Sequence, residues 1–188
     1  FPSPTPSHTV NAKDVNAPRT TVGNATTVAH GSNTLSFNPG QFTAPFVITV
    51  TGAVGTADTT LVSVQATSDS ATVNLTPITH AIAARLSSSG NPTDLATNIT
   101  TEKVNITSAN VASTEQAFRD ILAPNMAAVG LSNSANLISS LFTTQHDKLL
   151  DTLQVQVPPN GDIQLTRRAG SALHALEDRT SHRLHSHP

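Results

Sequence analysis

The sequence predicts an α+β protein, with an antiparallel β-sheet or sandwich, about three packed helices, an extended N-terminal arm and a His-rich C-terminal tail. Three observations indicate this class. Short β-rich segments follow one another from Thr34 and are separated by turn residues. The run Thr72–Leu86 joins a strand-like segment to an amphipathic helix. Leu153–Val157 and Ile163–Thr166 alternate apolar and polar residues around a Pro-Pro-Asn-Gly turn.

The chain is large enough for one domain, which we place at residues 34–168. Residues 1–33 contain PSPTPS and a polar stretch with isolated valines, so they bury too little apolar surface to order themselves alone. We therefore expect an arm there, which is able to lie as a strand against a preformed sheet; a linker to another domain or anchor is the alternative. Residues 169–188 are expected to form one helical turn at Leu173 and Leu176, followed by a mobile tail.

Four β-rich segments open the domain. Their sequences are TLSF, PFVITVTG, TTLVSVQA and ATVNL. The turn sequence Ser68-Asp69-Ser70 predicts that Thr60–Ala66 and Thr72–Leu75 pair as a hairpin, within at least three antiparallel strands. The late hairpin at Leu153–Val157 and Ile163–Thr166 is expected to rejoin this sheet.

Three helices are predicted. Thr76 and Pro77 provide a cap and a first helical residue for a helix over Pro77–Leu86, which a loop follows over Ser87–Pro92. Ser113 and Gln116 form a potential capping box for a second helix, which Pro124 interrupts or ends. A third helix is expected to begin near Ser134, and its apolar residues are Leu137, Ile138, Leu141 and Phe142.

Composition excludes several classes of function. Charged residues make up only 12% of the chain, and 10 Lys and Arg face 12 Asp and Glu, so no basic surface is expected for nucleic acid or an anionic membrane. With no cysteine, thiolate catalysis and zinc-thiolate sites are absent. No apolar run is long enough for a transmembrane segment.

The same composition indicates export. The Lys-poor, Thr-, Ser- and Asn-rich sequence is typical of exported bacterial surface proteins. Phe1 in place of an initiating Met indicates either that a leader was removed or that the sequence is a fragment. We therefore expect an extracellular or cell-surface location in a bacterium, with surface attachment as an option.

The segments PFVITVTG, LVSVQ, VNLTPITHAIAARL and KLLDTLQVQV together resemble a module of predicted bacterial secreted proteins and lipoproteins. That module has a Pro-Phe strand, an Asn-x-Thr-Pro-Leu-Thr helix start and a closing Leu-Leu-Asp strand. The resemblance covers residues 35–157 and departs from the pattern at Ile78, where the family tends to have Leu. It implies export and fold, and no activity.

Histidines provide the candidate metal ligands. His182, His185 and His187, with His174 upstream, are close enough in sequence to bind Zn, Cu or Ni weakly, and no other cofactor is expected. A flexible tail that binds metal adventitiously is the simpler interpretation.

Other potential catalytic groups are isolated. His80, or His146 beside Asp147, offers one half of a His–carboxylate pair, but a hydrogen-bonded histidine at the boundary of the core explains each equally. Asp147 and Asp151 lie one helical turn apart and offer a pair of carboxylates, which helix capping and turn formation also explain. The chain has no G-x-S-x-G nucleophile elbow. Asn24, Asn74, Asn98 and Asn105 begin N-x-Thr sequons, which are frequent by chance in a Thr-rich chain.

Two functions remain after these exclusions. The first is a non-enzymatic extracellular structural protein, in particular a self-assembling surface-fibre subunit in which the N-terminal arm of one copy adds a strand to the next copy's sheet. The alternative is a ligand- or metal-binding accessory module of an exported protein. The lack of Trp and Tyr removes the usual aromatic platform for carbohydrate and favours the structural subunit.

Overall fold

A computed structural model describes residues 7–16, 20–26, 42–54, 57–69, 72–158, 162–168 and 182–184. In chain order its elements are β1 (Ser7–Asp14), β2 (Thr20–Thr26), β3 (Phe46–Val54), β4 (Ala57–Gln65), α1 (Pro77–Leu86), α2 (Pro92–Thr97), α3 (Ile99–Glu102), α4 (Ser108–Ala128), α5 (Thr144–Thr152), β5 (Leu153–Gln156), β6 (Ile163–Arg167) and β7 (His182–Leu184). The strands form two antiparallel sheets, so the predicted α+β class is confirmed.

The N-terminal segment belongs to the first sheet, whose strand order is β2-β1-β3-β4. Strand β1 pairs with β3 from Thr9↔Thr51 to Asp14↔Phe46, and with β2 across a bulge between Val10 and Asn11. The predicted arm therefore folds back on its own chain as a β-hairpin. Val10 and Ala12 are buried there, which supplies the apolar contact that the segment lacks in isolation.

The predicted hairpin of Thr60–Ala66 with Thr72–Leu75 is wrong. Strand β4 pairs instead with β3, in register from Phe46↔Gln65 to Val54↔Ala57. Residues 72–75 leave the sheet, because the Asn74 N–H donates to the Ile138 carbonyl and Val73 and Leu75 pack on the apolar face of the sheet. The predicted strand TLSF lies outside the described residues.

Helix α1 has the predicted bounds. The Thr76 side chain accepts a hydrogen bond from the Thr79 N–H, the Thr79 hydroxyl accepts one from the Thr76 N–H, and Pro77 is the first helical residue. The helix packs against β4 of the first sheet and against β5 and β6 of the second. Its buried residues are Ile78, Thr79, Ala81, Ile82, Ala83, Ala84 and Leu86. Because helix α1 is buried by both sheets, it is the centre of the main core.

The other predicted helices differ from the structure. Helix α4 begins after Thr107, whose side chain accepts the Asn110 N–H, and continues to Ala128. The exposed Pro124 lies within its last two turns, so Pro124 does not end the helix. The helix predicted near Ser134 is wrong: turns occupy residues 131–143, and α5 begins at Thr144. The short helices α2 and α3 were not predicted from the sequence.

The late hairpin is confirmed as β5 and β6, but its expected pairing with the first sheet is wrong. Strand β6 pairs with β5 and β7, so the second sheet has the order β5-β6-β7. Leu153, Ile163 and Leu165 pack with α1 in the main core. Part of the predicted tail is thus a strand, while Leu173, Leu176 and the predicted turn between them lie outside the described residues.

Candidate functional site

An extensive polar arrangement in the described part of the chain surrounds residues 136–140, which we call the 136–140 loop. Three elements hold it: the segment before α1, helix α4 and helix α5. The Asn74 side chain donates to the Leu137 and Ser140 carbonyls at 3.2 and 3.0 Å. The Glu115 carboxylate accepts the Leu137 N–H and, at 3.4 Å, the Ile138 N–H. Both side chains are buried, so they replace the water that these backbone groups lose.

Glu115 was not identified from the sequence. It lies on the buried stripe of α4 with Phe118, Leu122 and Met126. Arg119 lies one turn later, with its guanidinium 3.7 Å from the Glu115 carboxylate. A carboxylate on an apolar helical stripe usually has buried donors, and that position is the feature of the sequence that indicates its role.

His146 joins α5 to the same loop. Its Nδ1 accepts the Thr143 N–H at 3.1 Å, and its Nε2 lies 3.2 Å from the Ser140 hydroxyl. Phe142 stacks on the ring with centroids 5.3 Å apart. Burial lowers the pKa of His146, so the neutral ring is favoured.

The hydrogen bonds at His146 give the Ser140–His146 pair the wrong polarity for nucleophilic catalysis. Because a backbone N–H can only donate, Nδ1 is the acceptor, and the neutral ring carries its proton on Nε2. Nε2 therefore donates to Ser140, whose hydroxyl donates to the Asn136 carbonyl. A general base needs a free lone pair facing the nucleophile, and this arrangement provides a helix cap instead.

His80 is also bound to backbone. Its Nδ1 accepts the Val62 N–H of β4 at 3.2 Å, and burial lowers its pKa to about 4. This Val62 N–H lies on the side of β4 that faces away from β3, so the His80 ring is the acceptor that it has there. This contact restricts the addition of another strand at that point of the edge.

Only one of the four predicted metal ligands lies among the described residues, so the predicted metal site stays a prediction. His182 lies in β7, where its backbone pairs opposite Leu165, while His174, His185 and His187 lie outside the described residues. Asp147 and Asp151 both lie on α5, one turn apart, as predicted. Among the described residues, no group of three or more His, Asp or Glu side chains is placed to hold a metal ion.

Asn74 and Asn105, two of the sequon asparagines, make hydrogen bonds through their side-chain amides. Asn74 is buried within the loop contacts described above. The Asn105 amide donates to the Ser88 hydroxyl and to the buried Glu102 carboxylate. Asn98, between α2 and α3, is exposed, and Asn24 lies in β2.

A shallow apolar hollow lies between α1 and α5, next to the 136–140 loop. Ile78, Leu137, Phe142 and Leu150 line it. Leu141, which precedes Phe142 in the sequence, is 76% exposed, so this leucine is not the core residue that the predicted third helix required.

Comparisons with known proteins gave no matching family model, no similar curated protein and no similar solved structure. The resemblance to the bacterial secreted module therefore stays a prediction. None of the helices in the described part of the chain has both the length and the apolar character needed to cross a bilayer.

Proposed function

We propose that this protein is a non-enzymatic extracellular structural subunit that assembles with copies of itself by exchanging its N-terminal hairpin. In the proposed assembly, β1 and β2 of one copy pair with β3 of the next copy. Each subunit then donates one hairpin and accepts another, which permits an open fibre.

The pairing of β1 carries the proposal. This strand comes first among the described elements, yet it lies inside the sheet between β2 and β3. Val10 and Ala12 lie in one buried cluster with Phe42, Phe46 and Ile48, which come from the acceptor strand and the segment before it. A hairpin from a second copy can make the same backbone bonds and the same apolar contacts, so exchange between copies costs no native contact.

The sequence between the hairpin and its acceptor is long enough for exchange. Residues 27–41 separate β2 from Phe42, the first residue on the acceptor side that packs with β1. Because an extended chain spans about 3.3 Å per residue, a connection of this length reaches up to roughly 50 Å. The low proportion of charged residues further supports the proposal, since copies can approach without strong repulsion.

The hydrogen bonding of the buried histidines supports a non-enzymatic role. His80 and His146 each accept a backbone N–H at Nδ1. Their rings are thus used to satisfy the backbone at a strand edge and at a helix start. The Thr-, Ser- and Asn-rich composition supports the extracellular location.

Cysteine cross-linking tests exchange directly, because the chain has no native cysteine. Thr9 and Thr51 are register partners across β1 and β3. Thr9→Cys and Thr51→Cys chains, one of them isotopically labelled, are unfolded, mixed, refolded and oxidised. We expect a covalent dimer that contains one chain of each kind, and fibres of the unmodified protein in negative-stain electron microscopy.

The matched control replaces Thr51→Cys by Thr60→Cys. Thr60 pairs with Thr51 on the far side of β3, so it lies one strand further from Thr9. Mixed dimers should be rare in this control. Equal yields of mixed dimer for the two pairs, or no mixed Thr9–Thr51 dimer from an unmodified protein that stays monomeric, would contradict the proposal.

A further inference from the structure

Asp14 ends strand β1 in a buried polar contact. The residue is only 2% exposed, and its carboxylate accepts the Asn16 N–H at 2.9 Å and the Thr43 N–H at 2.6 Å. Thr43 lies three residues before β3 begins at Phe46. The carboxylate therefore connects the end of the N-terminal strand to the segment that leads into its acceptor strand.

The apolar residues of β1 exclude one class of misalignment. Val10 and Ala12 lie on the same face as Asp14, opposite Val50, Ile48 and Phe46 respectively. Because side chains alternate between the faces of a strand, a shift of one residue would bring Lys13 and Asn11 to the face that carries Phe46 and Ile48. Odd shifts are therefore strongly disfavoured.

The apolar pattern does not exclude a shift of two residues. Such a shift keeps Val10 and Ala12 on the same face. In one direction it places them opposite Ile48 and Phe46, and in the other opposite Gly52 and Val50. It moves the Asp14 carboxylate by about 7 Å along the sheet, which is twice the rise per strand residue. The Thr43 N–H is then out of reach, and a buried carboxylate loses a donor at high cost.

We infer that Asp14 sets the register in which β1 docks on β3, so that the acceptor strand selects an extended segment with the spacing Val10-x-Ala12-x-Asp14. For docking between copies, this inference rests on the proposed function. For docking within one chain it stands independently, because the same contacts form there. Asp14 is thus a specificity-determining residue for a strand of a second copy of this chain.

The test measures how efficiently a disulfide forms in chains that carry two cysteines, each pair of which reports one register of β1 on β3. The relative yields of the pairs are called the partition. Thr9→Cys is combined with Thr51→Cys, which reports the native register, or with Thr49→Cys or Ala53→Cys, which report shifts of two residues in either direction. Each pair is made with Asp14 intact and with Asp14→Ala. Thr9, Thr49 and Thr51 lie on the face opposite Val10, so the probes do not enter the Phe46 cluster.

With Asp14 intact, we expect efficient disulfide formation only for the Thr9–Thr51 pair. In the Asp14→Ala chain the preference for that pair over the shifted pairs should fall about tenfold, the population change expected when a hydrogen bond to a charged group is lost. Lys13→Ala is the matched control, because Lys13 is the adjacent residue on the other face, and it should leave the partition unchanged.

An unchanged partition in Asp14→Ala would overturn the inference. If that chain does not fold, as judged by circular dichroism, Asp14→Leu replaces it, since leucine is close in size and has no atom that can accept the Thr43 N–H. An unchanged partition in Asp14→Leu would then overturn it equally. Mixed single-cysteine chains are analysed in parallel: if no interchain disulfide forms, exchange between copies fails, while the partition within one chain still decides the register.

Discussion

Asn74 bridges two distant parts of the chain through three hydrogen bonds. Its main-chain N–H donates to Ile138 at 2.6 Å, and its side-chain amide donates to Leu137 and Ser140. Thr76, two residues later, caps α1. The Asn-x-Thr-Pro sequence therefore sets the position of the 136–140 loop and the start of the central helix together, which gives this motif a structural reason without any catalytic chemistry.

Replacing Asn74 should destabilise the fold. Asn74→Ala leaves the Leu137 and Ser140 carbonyls without their donor, so we expect the free energy of unfolding to fall by about 2 kcal/mol. Urea denaturation followed by circular dichroism measures this change. Asn98→Ala is the control, because Asn98 is exposed and makes no side-chain cap bond, and its effect should stay within about 0.5 kcal/mol. Equal losses in the two variants would contradict the role given to Asn74.

His80 should make stability depend on pH. Its pKa is about 4 in the folded protein because of burial, against about 6.5 in the unfolded chain. Between these values the unfolded chain binds more protons, so the contribution of His80 is complete above pH 6.5 and is lost as the pH falls to about 4. We expect a loss of roughly 2–3 kcal/mol across this range, since part of the ring is near solvent.

The measurement compares urea unfolding from pH 7 to pH 4 in the natural protein and in His80→Asn. The asparagine oxygen can still accept the Val62 N–H but does not titrate, so the slope of stability against pH should be smaller in the variant. Burial lowers the pKa of His146 in the same direction, and that effect is present in both proteins. Parallel slopes would show that His80 does not titrate as described.

At the scale of elements, α1 is packed tightly because both sheets contact it. Ala81 and Ala83 are fully buried, and their small side chains allow the sheets to approach the helix closely. The small alanines beside the larger isoleucines of this helix are therefore required sterically by its position between the two sheets. A helix with one exposed face would tolerate larger residues on that face.

Enlarging this helix should be costly. Ala83→Leu inserts three carbon atoms into a filled space, and we expect a loss of about 2–3 kcal/mol in the free energy of unfolding. Ala112→Leu on α4 is the control, since Ala112 is exposed and leucine is also a good helix former. Thermal or urea unfolding of both variants measures the difference. A tolerated Ala83→Leu would indicate space between the helix and the sheets.

The elements predicted correctly are those that local sequence determines. Helix α1 has its cap and Pro77 within its own first turn, and the β5–β6 hairpin has its alternation and turn within fifteen or so residues. The helix expected near Ser134 failed because Asn74 and Glu115, which are distant in sequence, bind the backbone groups that a helix would have used. Those two partners are visible only in three dimensions.

At the scale of the molecule, the sequence predicts the class but not the division into two sheets. The first sheet gains the N-terminal hairpin, and the late hairpin pairs with β7 instead of rejoining the first sheet. Which strands pair, when they are far apart in sequence, depends on which sheet covers which face of α1. The periodicity of apolar residues along the chain does not indicate this. The contacts of the candidate site depend on the same arrangement, so the backbone partners of Glu115 and Asp14 became recognisable only with the fold.

The interior place of β1 also governs the order of events at the ribosome. Strand β1 is synthesised before β3, yet it cannot complete its pairing until β3 has left the exit tunnel. During that delay the side of β1 that later pairs with β3 is open. In a finished copy β3 is already paired with β1 and β4, so under the proposed exchange only another unfinished chain offers a free β3. Neighbouring chains on one polysome are then the copies placed to exchange hairpins before each closes on itself.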